Sequence, residues 1–175
     1  SNSIIFVIAN IDEAFVNAKQ MDPDIDADTL YTHSKKITVF NIKDALRLRF
    51  RSEQIARLGN NYIIYPAFSS KAYRELIELE LKKKSDVVKE KFGIEVVFDD
   101  TIKTIIYNEG VFPTQGSRPV FSTVNYMVSS FIGKALSQLD SDDLLNDIKV
   151  IRWKFFDNAN KLSCHKNMKD PPVVE

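Results

Sequence analysis

Cysteine, glycine, proline and any surplus of charge are scarce in this chain of 175 residues, and each shortage excludes something. The single cysteine, Cys164, has no second cysteine with which to form an internal disulfide. Five glycines and six prolines are too few for a linker-rich or disordered chain. Lys and Arg together number 24, as do Asp and Glu, so the formal charge is zero. A general nucleic-acid surface carries a basic excess, and nucleic acid is therefore not an expected partner. No apolar run reaches about 18 residues and no secretory leader is visible, so no membrane association is expected and the chain reads as cytoplasmic.

What is present is hydrophobic: 44% of residues, with 12 Phe, enough for one ordinary domain or two small ones. Ser1-Asn2-Ser3 resembles a remnant of expression. Ile4 to Ala9 then forms an unbroken apolar run, as in a strand buried on both faces of a parallel sheet. Such a strand needs neighbours on both sides, and the chain that follows supplies too few. The sequence is expected to be the C-terminal piece of a larger protein. A polar stretch follows to about Lys36. Its alternating Asp22, Asp24, Asp26 and Asp28 miss the calcium-loop pattern, because Ala27 and His33 stand where Gly and Glu are required. A solvated loop is expected there, and no metal site.

Lys36 to Phe40 reads as a short strand, and Asn41 as the cap of a helix through Leu48. Arg57 falls in or just after a second helical turn. Tyr62 to Tyr65 reads as a strand ended by Pro66. Ser69 is positioned to cap a long helix to Phe92, closed by Gly93. Ile94 to Phe98 is a predicted strand, followed by a helix capped at Asp99 or Asp100 and ending at Gly110. Pro119 opens a further helix with Val120, Val124, Val128, Phe131 and Ala135 on one stripe. Lys149–Phe156 and Lys161–His165 read as strands joined by a turn at 157–160. Composition changes near Pro66 to Ser69, from an α/β pattern to an α+β one. The division is accordingly 1–66 and 67–175.

Three residues stand out for chemistry. Arg57 and Arg118 sit at loop–helix junctions in opposite halves, and arginine presents a planar, permanently charged fork that suits phosphate. Arg118 lies at the start of its helix, where a cation meets the positive end of the dipole and a bound anion offsets that cost. A surface arginine paired with a nearby carboxylate explains Arg118 as well, and an i,i+4 pair with Glu53 explains Arg57. Asn10 follows the apolar run, the end of a strand where open parallel sheets hold ligands, although Asn also favours turns. Cys164 and His165 are adjacent, so on a strand they point to opposite faces and form neither a dyad nor a metal site.

Taken in order, Asn10, Arg57 and Arg118 with their flanks resemble the Clp-type AAA+ ATPases, the ring-forming protein unfoldases. Ile4 to Asn10 is similar to the sensor-1 strand. The stretch from Asp44 through Phe68, with Phe50-Arg51-Ser52-Glu53, is similar to the segment bearing the arginine finger. Gly116-Ser117-Arg118-Pro119 resembles the sensor-2 box. Ser52, Gln54, Gly59 and Ala9 depart from the usual Pro, aromatic, Asp and Ser. No Gly-x-x-x-x-Gly-Lys-Ser/Thr occurs in the chain.

The resemblance implies the end of a parallel-sheet P-loop AAA+ large domain followed by a small α+β lid domain. It implies ATP with Mg2+ held mainly by other parts of the parent, with Asn10 and Arg57 catalytic and Arg118 touching the γ-phosphate. A homo-hexameric parent acting on protein substrates, with or without a protease partner, follows from it. The fragment alone is expected to be inactive. Two alternatives remain at this point: a non-catalytic assembly domain descended from such a protein, and an AAA+ protein acting on nucleic acid.

Overall fold

The computed structural model describes residues 7–8, 24–141, 148–156, 159–166, 168–169 and 172. Its chain divides into two compact units that meet between Ser69 and Ser70.

In the first unit, Asp26 caps α1 (Ala27–Ser34), its carboxylate accepting from the backbone N–H groups of Asp28 at 3.0 Å and Thr29 at 2.9 Å. Ala27, Leu30 and Ser34 share the buried face. The Ser34 hydroxyl donates to the Tyr31 carbonyl at 2.7 Å and accepts from Ala67 N–H at 2.9 Å, tying the end of the unit back to α1. The polar stretch is thus partly helical. Its signal was the spacing Asp26-x-x-Thr29 with Ala27, Leu30 and Ser34 at i, i+3 and i+7.

Helix α2 (Val39–Arg47) takes in Val39 and Phe40, the last two residues of the stretch 36–40 expected as a strand, and the rest of that stretch is not a strand either. Thr38, not Asn41, is its cap. Thr38 N–H donates to the Asn41 side-chain oxygen at 2.9 Å, and Asn41 N–H donates to the Thr38 hydroxyl at 3.4 Å, a reciprocal pair that outweighs the strand preference of Val39 and Phe40. Helix α3 (Ser52–Arg57) follows, with Arg51 N–H donating to Gln54 Oε1 at 2.9 Å. Ala45 and Ile55 are buried where α2 and α3 pack.

The strand expected at 62–65 does not appear, and of the run Ile4 to Ala9 only Val7 and Ile8 are described, the rest of that expected strand lying outside the described residues. Val7 and Ile8 lie outside any strand, 73% and 95% exposed. Residues 62–65 are likewise outside any strand, with Ile63 and Tyr65 exposed. A β-branched run becomes a strand only beside a second strand that accepts its hydrogen bonds, and the described residues 24–69 hold helices alone.

The second unit has its own core. Helix α4 (Ser70–Phe92) buries Tyr73, Ile77, Leu81 and Ser85, one residue every four. Gly93 ends it at φ 70°, a conformation glycine adopts without steric penalty. Strand β1 (Glu95–Phe98) leads to α5 (Asp100–Gly110), whose cap Asp99 accepts from Thr101 N–H at 2.9 Å. A 3-10 turn (Pro113–Gln115) precedes α6 (Arg118–Ser141). Val120, Val124, Val128 and Ile132 line the buried face of α6. Strands β2 (Val150–Phe156) and β3 (Ala159–His165) complete a sheet of order β1-β2-β3.

Strands β1 and β2 are parallel, so the chain between them must cross over, and α5 with α6 makes that crossing. Strands β2 and β3 are antiparallel, with Ile151 opposite Cys164 and Trp153 opposite Leu162. Val96, Ile151, Trp153 and Cys164 are all buried. The Trp153 ring lies 5.0 Å from that of Phe131 on α6, and its indole N–H donates to the Asn160 side-chain oxygen at 3.0 Å. Burying each such large side chain contributes about 1.5–3 kcal/mol. The unit is therefore helices against one face of a small mixed sheet.

Candidate functional site

The two candidate arginines are set by different local devices. Arg57 is the last residue of α3, a helix of 6 residues held down by Ile55. Ile55 is the anchor; Phe50 is 48% exposed, and Ala56 is exposed too. Arg57 projects from this perch into solvent and, among the described residues, makes no ion pair with Glu53 or any other carboxylate.

Arg118 is placed by a tight loop. Phe112 and Gly116 form an isolated antiparallel bridge around the 3-10 turn. Gly116 sits at φ 70° and ψ −147°, which only glycine adopts easily. The helix then begins at Arg118 itself, one residue before Pro119, because proline is tolerated throughout the first turn where its missing N–H has no partner to lose. Val120, fully buried, fixes the rotation of that turn and leaves Arg118 outside. No carboxylate pairs with Arg118 among the described residues. Arg118 stands at the positive end of α6, a mildly unfavourable place for a cation that an external anion would offset.

Asn10 lies outside the described residues. Arg57 belongs to the first unit and Arg118 to the second, so each is a property of its own unit.

Other chemistry is limited. Among the described residues no group of three or more His, Cys, Asp or Glu could hold a metal ion. Asp26 serves as a helix cap, and hydrogen bonds from the Thr29 hydroxyl and backbone lower its pKa. Cys164 is buried and desolvation raises its thiol pKa, so it is a poor nucleophile. His165, also buried, has Nε2 3.1 Å from the Ser163 hydroxyl.

A cleft of about 550 Å³ between α4 and β1 escaped the sequence reading. Its Lys89 bonds to Glu95 at 2.9 Å, and its Lys103 bonds to Asp100 at 2.9 Å and Glu78 at 3.1 Å. These carboxylates raise both lysine pKa values, Glu95 for Lys89, and Asp100 then Glu78 for Lys103. Cations so held stay charged and are not proton carriers near neutrality. No described helix is long and apolar enough to cross a membrane.

No protein-family description matches the chain. Over 135 residues, 77% of its length, the chain is 23% identical to a Clostridium perfringens (strain 13 / Type A) protein named chaperone protein ClpB. The matched stretch is 14% of that protein's length. The chain is thus similar, over most of its residues, to a small part of a Clp chaperone.

Proposed function

We propose that this chain is the sensing half of a Clp-type AAA+ motor: the end of the large ATPase domain and the small lid domain of an ATP-dependent protein unfoldase. The observation that carries the reading is Arg118 at the first position of α6, without a carboxylate partner among the described residues and presented by the Gly116 turn, within a chain similar to ClpB over 135 residues. A guanidinium without a carboxylate at a helix start carries a mild cost, about 0.3–1 kcal/mol, that a bound anion offsets. In this reading the anion is the γ-phosphate of ATP.

Arg57, exposed at the end of a pinned helix, would reach the nucleotide of an adjacent subunit and stabilise charge on the transferring phosphoryl group. Asn10 would orient the attacking water. ATP and Mg2+ would be held mainly by a Walker lysine and carboxylate of the parent, neither of which this chain contains. Loss of the γ-phosphate would free the lid from the large domain and so turn hydrolysis into movement of a protein substrate through a homo-hexamer.

The test uses the full-length protein. Arg57→Ala is expected to leave ATP binding within about threefold while lowering turnover by about a thousandfold, the scale of a lost arginine finger. Mixing the variant with wild-type subunits then restores turnover in proportion to wild-type neighbours. Unchanged turnover in the pure variant removes Arg57 from the mechanism, whereas a wild-type full-length protein without turnover is what the non-catalytic assembly reading requires.

A further inference from the structure

The zero net charge of the chain conceals an uneven distribution. Residues 149–169 hold Lys149, Arg152, Lys154, Lys161, Lys166 and Lys169 against the single acidic residue Asp157. The sheet sorts part of this charge onto one face. Because successive residues of a strand point to opposite sides, Ile151 and Trp153, both fully buried, turn Arg152, Lys154 and Phe156 to the face away from the helices. The register sets Ser163 opposite Arg152, Lys161 opposite Lys154, and Ala159 opposite Phe156 on that same face.

Two features there cost the fold stability or leave apolar surface in water. Lys154 and Lys161 are exposed and directly opposite, a like-charge pair that destabilises a sheet. Neither makes an ion pair with a carboxylate among the described residues, although Asp99 is near enough to feel the field of Lys154. Beside them Phe156 is 63% exposed, with the Lys161 ammonium 5.2 Å from its ring centre. Arg152 completes the row, its guanidinium already donating to the Met168 carbonyl at 2.7 Å.

We infer that this outer sheet face, Lys154, Lys161 and Phe156 with Arg152 beside them, binds single-stranded nucleic acid. Phosphates bridging the paired ammonium groups relieve their repulsion, and an unpaired base stacks on the part of the Phe156 ring that the Lys161 ammonium leaves exposed. Cations tracking a backbone beside an aromatic platform are the combination that single strands require. An acidic peptide would satisfy the lysines but would have no need of an exposed ring.

The experiment measures fluorescence anisotropy of labelled oligo-dT, 20 nucleotides long, with the full chain between about 25 and 200 mM salt. Binding is expected with a log–log salt slope of about −2, for three neutralised phosphates at about −0.7 each. Phe156→Ala is expected to weaken the oligonucleotide about tenfold, the scale of one lost stack, while leaving poly-glutamate binding unchanged. The double charge reversal Lys154→Glu with Lys161→Glu is expected to abolish both. All three side chains are exposed, and circular dichroism checks that the variants fold. No binding of oligo-dT by folded wild-type chain overturns the inference. So does an oligonucleotide affinity indifferent to Phe156→Ala and matched by poly-glutamate, which assigns the face to acidic peptides.

Discussion

One hydroxyl closes the free side of β1. The Ser85 side chain accepts from Val96 N–H at 3.0 Å and donates to the Val96 carbonyl at 2.9 Å, both within the buried region of the second unit. Helix α4 thereby takes the position a further strand would occupy, and β1 cannot pair at this point with another chain. Ser85→Ala leaves a donor and an acceptor unsatisfied, with an expected loss of about 1–3 kcal/mol in urea unfolding. An unchanged midpoint would mean that water reaches Val96 in the variant. Nothing in the sequence marks Ser85, because its spacing with Tyr73, Ile77 and Leu81 looks like an ordinary helical stripe. Arg118 was more legible: Gly116 and Pro119 bracket it as turn and helix start. That it has no carboxylate partner among the described residues was not, since pairing depends on which face Val120 buries.

At the level of elements, those with both ends marked were the readable ones. Gly93 and Asp99 bound β1 and open α5, and the valine stripe defines α6. Where preference alone was the guide, at 36–40 and 62–65, strands were expected and none formed: the Thr38–Asn41 pair starts a helix at Val39, and no strand among the described residues lies beside 62–65 to accept its hydrogen bonds. The Asp99 cap is open to measurement. Its pKa is lowered, first by the Thr101 backbone N–H and then by the Thr101 side chain. A carboxylate depressed on folding adds stability that is fully present above its unfolded value, near pH 4, and lost as pH falls through the folded value below it. Asp99→Ala should cost about 1 kcal/mol near neutrality. Asp99→Asn keeps part of the cap and should flatten the decline in urea midpoint between pH 4 and pH 2. A decline as steep as in wild type would show that other carboxylates carry the acid sensitivity.

For the molecule as a whole, division at Ser69–Ser70 leaves the second unit with a core drawn from its own helices and sheet. Residues 70–175 should therefore fold alone. Trp153, fully buried and the only tryptophan, reports it: the truncated protein should keep blue-shifted emission and a cooperative thermal transition. Emission typical of hydrated indole would show that the second unit depends on the first. The partition of cations among rows of the sheet was invisible in the formal charge, because acidic residues elsewhere cancel it in the sum.

Cys164 sits behind this sheet, 4% exposed, opposite Ile151. It is the chain's only sulfhydryl, which makes the protein a natural stopwatch. A maleimide can react only during those moments when β3 parts from β2 or the hairpin lifts from α6, so the alkylation rate counts such excursions. An oligonucleotide clamped across the lysines should lengthen the interval between them, and the amount of that lengthening would give its affinity without any label on the protein.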